Sequence, residues 1–209
     1  MKWANVAQGS PEWIEARLGI PTASCFDRIL TPKKLAASAS QRAYTCELLA
    51  ERVLRMPVVG AGSLWMERGS ALEKEARAYY ELTADVEAKP CGLALTDDGR
   101  AGASPDSTVG DDGLLELKCP AAHTHLYYLL FGLGDDYRLQ LQGQLWVAER
   151  AWVDFLSYCP GFPPVLIRTE REPEVLDALA IEVPKFCAAL DYAQGSLDAM
   201  TATKQEAIA

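Results

Sequence analysis

The chain has little of what zinc, redox and nucleotide-loop chemistries need. Its 209 residues include two histidines, His123 and His125, and no CxxC pair. The six cysteines, Cys25, Cys46, Cys91, Cys119, Cys159 and Cys187, stand far apart with no histidine at metal-ligand spacing, which argues against a structural zinc site. A chain of this length buries enough apolar surface to do without disulfides, so these thiols read as reduced and mostly buried. Neither "GAG" nor "GLGDD" is followed by Gly-Lys-Ser or Gly-Lys-Thr, so neither is a phosphate loop. The two histidines, at i and i+2 near a helix start, read as structural or surface residues, because hard cations select carboxylate over imidazole.

Long apolar runs are absent as well, and the Met-Lys-Trp-Ala start has no apolar signal core; the expectation is a cytoplasmic chain with no membrane partner. Positive charge is in short supply, 20 Lys and Arg against 29 Asp and Glu, a net charge of -9. That balance argues against wrapping nucleic acid over a broad surface, which needs many cations to replace phosphate counterions. It leaves room for a local basic groove, and carboxylates also bind divalent metals. With no repeat, low-complexity tract or long linker, residues 1–209 read as a single domain.

What is present is a change of period along the chain. Ser10 and Pro11 form an N-cap and first helical turn, with Gly19 where that helix ends, so 11–18 is a short helix. A second helix is expected from Pro21 and Thr22 to about Leu30. Tyr44, Leu48, Leu49 and Val53 repeat at helical spacing between Ser40 and Arg55, and another helix runs from about Leu64 to Leu82 with Leu72, Ala76, Tyr79 and Tyr80 on its core face. Residues 86–95, 100–104 and 113–119 then read as strands separated by turn signals. Helices over about 124–131 and 137–148, strands over 152–159 and 165–170, and a last helix from Pro173, interrupted or kinked at Pro184, complete the order. This is an α/β protein with a mixed central β-sheet flanked by helices.

Chemistry concentrates in "GASPDSTVGDDGLLELKCP", residues 102–120. Period two puts Leu115, Leu117 and Cys119 on one face of the strand and Leu114, Glu116 and Lys118 on the other. Asp106 at the preceding turn, Glu116 and Lys118 supply two hard-metal ligands and a cation, the parts a metal-dependent phosphodiesterase needs to neutralise phosphate oxygens and activate a water. Taken alone, the pattern better suits a surface strand with an ordinary Glu/Lys pair. In isolation Glu73 reads as a solvated helix carboxylate, Gln140 as a helix-surface glutamine sharing a face with Gln144, Arg17 as a surface arginine and Ser24 as a cap.

Four segments in order carry a resemblance: "GSPEWIEARLGIPTASCFDRIL", "RGSALEKEARAYYE", "SPD" followed by "LELKCP", and "YRLQLQGQLWV". Together they resemble the lambda exonuclease family, the phage alkaline exonucleases of the YqaJ-type viral recombinase group, within the restriction-endonuclease-like nucleases. The resemblance spans about Trp13 to Val147. It implies a restriction-endonuclease-like core and a Mg²⁺-dependent exonuclease that digests one strand of linear double-stranded DNA 5′ to 3′ from phosphorylated ends. Mononucleotides would be released, and 3′ tails left for recombination by strand annealing.

By that resemblance Asp106, Glu116, the Leu117 carbonyl and Glu73 hold two Mg²⁺ ions, with Mn²⁺ as a substitute. Lys118 is then the catalytic lysine, and Gln140 positions water. Arg17, Ser24 and Ser104 match the family's pocket for a 5′-terminal phosphate. The apolar stretch "SLWMERG" offers Met66 as a strand-separating wedge. The resemblance also implies a homotrimeric ring threaded by DNA ends and a single-strand annealing protein as partner. Arg28, Lys33, Lys34, Arg42, Arg52 and Arg138 are candidates to line the channel with Arg17. An endonuclease or repair nuclease with the same core, and a catalytically silent DNA-end-binding protein, are the competing readings.

Overall fold

The structure, a computed structural model, describes residues 1–58 and 64–206, with side chains for 1–58 and 72–202. The elements run β1 (Lys2–Ala4), α1 (Pro11–Arg17), a 3₁₀ helix (Ala23–Arg28), α2 (Gln41–Leu54), α3 (Leu64–Ala84), β2 (Ala88–Pro90), β3 (Leu93–Leu95), β4 (Gly102–Ala103), β5 (Ser107–Val109), β6 (Gly113–Lys118), α4 (Ala122–Phe131), α5 (Arg138–Val147), β7 (Trp152–Ser157), β8 (Val165–Glu170) and α6 (Pro173–Glu206).

Two sheets form. The larger has the order β2-β5-β6-β7-β8 and is mixed, because β6 and β7 pair in parallel while its other pairs are antiparallel. The parallel pair is joined through α4 and α5, the crossover that parallel strands require. A second sheet, β1-β3-β4, is antiparallel. The stretch expected as one strand over 86–95 is therefore divided between the two sheets: Pro90 ends β2, and β3 pairs with β1 instead. The tripeptides β1 and β5 gave no periodic signal of their own; register with a neighbour defines them.

Glu116 shows why the alternation along β6 matters. Leu114 packs with Val153, Phe155, Leu139, Leu145 and Leu179 on one side of the sheet, beneath α5, α6 and the 3₁₀ helix. Leu115 and Leu117 pack on the other with Ala76 and Tyr80 of α3. Both faces are covered, so Glu116 enters a buried layer rather than solvent, and 2% of its surface is exposed. Tyr79, expected on the core face of α3, is exposed and leans on Tyr158; among the described residues of α3, Ala76 and Tyr80 define the buried stripe.

The start of α1 is capped as the sequence implies, Ser10 Oγ accepting from the Trp13 amide. The segment expected as a helix over 21–30 is instead an extended Thr22 and a 3₁₀ helix, since Thr22 forms a parallel bridge to Gly102 and the Gly102 amide donates to the Pro21 carbonyl. α6 continues through Pro184 without interruption; Val183, Phe186, Cys187 and Leu190 hold it to the core across the missing amide. All six cysteines are free, and Cys159 and Cys187 are the buried ones, while Cys46 is exposed and Cys25, Cys91 and Cys119 are partly buried. The expectation of mostly buried thiols thus fails on the helix surface and near the site. His125 is buried between Ser157 Oγ and the Pro163 carbonyl, a structural role, and His123 is exposed.

Gly143 in α5 sets the approach of the 3₁₀ helix. A Cβ there would lie 2.5 Å from a Phe26 ring carbon and 3.1 Å from the Ala23 Cβ. Gly143→Ala is therefore expected to lower the melting temperature, the overpacking cost of about 1–3 kcal/mol exceeding alanine's helix-propensity gain of about 1 kcal/mol. A thermal melt at or above wild type would show that the two elements separate without cost.

Candidate active site

Lys118 ends β6, and around it the chain gathers residues from six segments. One cavity of about 270 Å³ is lined by Trp13 and Arg17 of α1, Thr22 and Ser24, Ser104 and Asp106, Glu116 to Cys119, Glu73 of α3, and Gln140 and Gln144 of α5. Every site residue expected from the sequence lines it except Met66, whose side chain lies outside the described residues. Gln8, Trp13, Thr22, Cys119 and Gln144 line it too, without having been singled out as site residues.

Asp106 is anchored to β6 twice. Its amide donates to the Leu115 carbonyl at 3.0 Å, and its Oδ2 accepts the Leu117 amide at 2.6 Å. The β5–β6 ladder starts at Ser107 and Leu115, so Asp106 takes, with its side chain, the hydrogen bond that the next rung would have supplied. Glu116 is held from both oxygens: Oε1 accepts Lys118 Nζ at 2.5 Å and Gln140 Nε2 at 2.5 Å, and Oε2 accepts Gln144 Nε2 at 2.6 Å. Glu73 joins from α3, half-buried.

Negative charge is in excess here. Burial and then the neighbouring Glu116 push the Asp106 carboxyl up to about 7, against the opposing Leu117 amide and Lys118, with Glu73 adding to the rise. Burial disfavours the Lys118 ammonium, yet the combined pull of Glu116, Asp106 and Glu73 carries it above the ordinary lysine value, so it is a fixed cation. One ammonium faces three carboxylates. Oxygen donors in this excess have the chemistry a hard divalent cation selects. Among the described residues no group of three or more His, Cys, Asp or Glu is arranged to hold a metal by itself, and Lys118 and the two amides occupy Glu116.

The other end of the cavity is cationic. Arg17 lies over the Trp13 ring at 4.2 Å and donates to Thr22 Oγ1 at 3.2 Å, Thr22 Oγ1 is 3.3 Å from Ser24 Oγ, and Trp13 Nε1 donates to Ser104 Oγ at 2.9 Å. Burial lowers the Arg17 pKa, and the guanidinium makes no ion pair among the described residues. A half-buried, unpaired guanidinium ringed by hydroxyls is suited to an anion. Four of the other basic residues considered for a channel differ: Arg28 pairs with Glu47, Lys33 with Asp135, Arg52 with Asp191, and Arg138 with Glu172 and Glu174. Their charge is largely spent within the protein.

Because Asp106 binds its proton more tightly in the folded than in the unfolded chain, folding of the metal-free protein weakens as pH rises from about 4 through 7. Asp106→Asn is expected to melt roughly 2–4 °C above wild type at pH 8 in chelator, with the gap closing as pH falls below 7. A gap that is absent at pH 8, or equal at every pH, would show that this charge carries no strain.

Comparisons with known proteins identify the family and the fold. Residues 12–151 match the model of the YqaJ-like viral recombinase domain. The structure is similar to an alkaline exonuclease (LHK-Exo) from Laribacter hongkongensis, with a TM-score of 0.83 and 34% identity over 93% of this chain and 99% of that one. The same protein in complex with dAMP gives 0.84 and 33% over the same shares. A phage-related exonuclease from Haemophilus somnus 129PT shares the fold, at a TM-score of 0.71 and 12% identity over 85% of this chain and 96% of that one. No curated protein sequence gives a significant match. With two thirds of its length matched by the family's model and an exonuclease aligned along nearly all of it, this chain belongs to the YqaJ-like viral recombinase domain family.

Proposed function

We infer that the protein is a Mg²⁺-dependent double-strand DNA exonuclease that digests one strand 5′ to 3′ from 5′-phosphorylated ends. It releases mononucleotides and leaves 3′ single-stranded tails for recombination. The observation that carries this reading is the single cavity shared by the unpaired Arg17 and the acidic cluster around Glu116. A terminal phosphate seated at Arg17 would put the next phosphodiester toward Asp106, Glu116 and Lys118, an order of sites that supports cutting from a 5′ end. The relative crystallised with dAMP, a deoxymononucleotide, is in keeping with release of single nucleotides.

Asp106, Glu116, the Leu117 carbonyl and Glu73 are the groups that would hold up to two Mg²⁺ ions, with Mn²⁺ as a substitute. When bound, such ions neutralise phosphate oxygens and lower the pKa of an attacking water. The chain's own residues do the rest. Arg17, Ser24 and Ser104, with Thr22 orienting the guanidinium, hold the terminal phosphate. Lys118, held protonated, stabilises charge that develops at the scissile phosphate, and Gln140 orients groups beside Glu116. The family resemblance further supports a homotrimeric ring and a single-strand annealing protein as partner, and the apolar stretch over 63–69 supports Met66 as the wedge. Among the described residues no helix is long and apolar enough to cross a membrane.

Lys118→Ala is expected to lower the rate on 5′-labelled linear duplex by at least about 100-fold, the usual loss when a transition-state donor is removed. Arg17→Ala should instead cut phosphorylated and hydroxyl 5′ ends at nearly equal rates, where wild type prefers the phosphorylated end. Label lost first from the 3′ end, or cleavage of a closed circular duplex, would overturn the exonuclease reading in favour of another nuclease with this core.

A further inference from the structure

Helix α5 carries three glutamines within one and a half turns, and they are satisfied very differently. Gln142, fully buried, has its whole amide engaged: Nε2 donates to the Glu170 carbonyl at 2.7 Å and to Glu172 Oε1 at 3.3 Å, and Oε1 accepts the Glu172 amide at 2.9 Å. That is the pattern of a residue that ties two elements together. Gln144, two positions on, is 1% exposed and lines the cavity instead. Its Nε2 donates to Glu116 Oε2 at 2.6 Å, while its Oε1 is buried with no hydrogen-bond partner.

The orientation of this amide is forced. Turning it over would set a carbonyl oxygen against a carboxylate, so the nitrogen must face Glu116 and the oxygen must stay unsatisfied. A buried acceptor without a partner is costly, and a glutamine kept only for packing would be better replaced by a methionine or leucine. The amide therefore acts through what its nitrogen does. A carboxylate offers about four acceptor positions, and on Glu116 the two of Oε1 go to Lys118 and Gln140 while Gln144 takes one of Oε2. The remaining position belongs to Oε2.

We propose that Gln144 is a positioning residue for Glu116: by gripping Oε2 it fixes the direction of the one acceptor position that the carboxylate has left for an incoming divalent cation. This rests on the reading of Glu116 as a metal ligand. Gln140 sits half-buried at the mouth of the cavity, whereas Gln144 is buried beneath it and holds the opposite oxygen of Glu116.

The test is Mn²⁺ binding to the full chain, followed by the paramagnetic resonance signal of the free ion and by calorimetry without DNA. Wild type, Gln144→Met, Gln144→Asn and Glu116→Gln are compared, each checked for an intact melt. Gln144→Met and Gln144→Asn are expected to weaken Mn²⁺ by roughly tenfold or more, the size of effect seen when the partner of a metal ligand is removed. They should lower kcat while leaving KM for DNA ends unchanged, and excess Mg²⁺ should restore part of the rate. The Asn variant, which keeps an amide but withdraws it by one methylene, decides the matter if the Met variant fails to fold. Wild-type affinity in the folded Gln144 variants, with binding lost in Glu116→Gln, overturns the role of Gln144 alone. No Mn²⁺ bound by wild type overturns the metal site itself, and this proposal with it.

Discussion

One buried carboxylate organises this molecule. Glu116 sits at the end of a strand covered on both faces, where an ionised group is tolerated only if its oxygens are met by donors. Lys118 from its own strand and Gln140 and Gln144 from α5 meet them. The need to solvate that carboxylate with protein groups dictates that α5 lies across the end of β6, and that its glutamines point inward although their neighbours Leu139, Leu141 and Leu145 supply the core. A cavity with an acidic floor is the result.

The second constraint is how closely the N-terminal segment approaches that floor. Gly143, between the two buried glutamines, lets Phe26 and Ala23 sit against the backbone of α5. The bridge from Thr22 to Gly102 then places Thr22 and Ser24 beside the chain that continues into Ser104 and Asp106. Packing and function meet at this contact: the same absence of a side chain that closes the core brings a cationic pocket and a carboxylate cluster into one space. The acidity of the whole chain is reconciled here as well, since most of the arginines considered for a channel are neutralised by carboxylates, whereas Arg17 stacks on Trp13 without one.

Much of the fold was legible because the signals were local. Ser10 and Pro11 announced α1, the spacing of Tyr44 and Leu48 announced α2, and the alternation along 113–118 correctly separated the two faces of β6. The failures have a common cause. β1 and β5 are three residues long, too short for a period to show, and exist because a neighbour offers hydrogen bonds. The extended Thr22 and the uninterrupted helix at Pro184 likewise reflect tertiary contacts outweighing local preference.

The site divides along the same line. Asp106, Glu116 and Lys118 could be chosen from the sequence because a proline-led turn and a period-two strand place acids and a lysine on one side within a few residues. Glu73, Gln140, Arg17, Ser24 and Ser104 were legible only through family resemblance, and the structure then brought them to a single cavity. Trp13, Thr22 and Gln144 went unselected as site residues, since in sequence a tryptophan, a threonine and a second glutamine carry no chemistry of their own. Their roles depend on which atoms face them, and that is decided by the packing of α1, the 3₁₀ helix and α5 around β6. By itself the sequence determined which side chains could do chemistry and which strand would bear the acids; only the tertiary structure decided which carboxylate is buried and which arginine is unpaired, because hydrogen-bond partners and desolvation arise between segments distant along the chain.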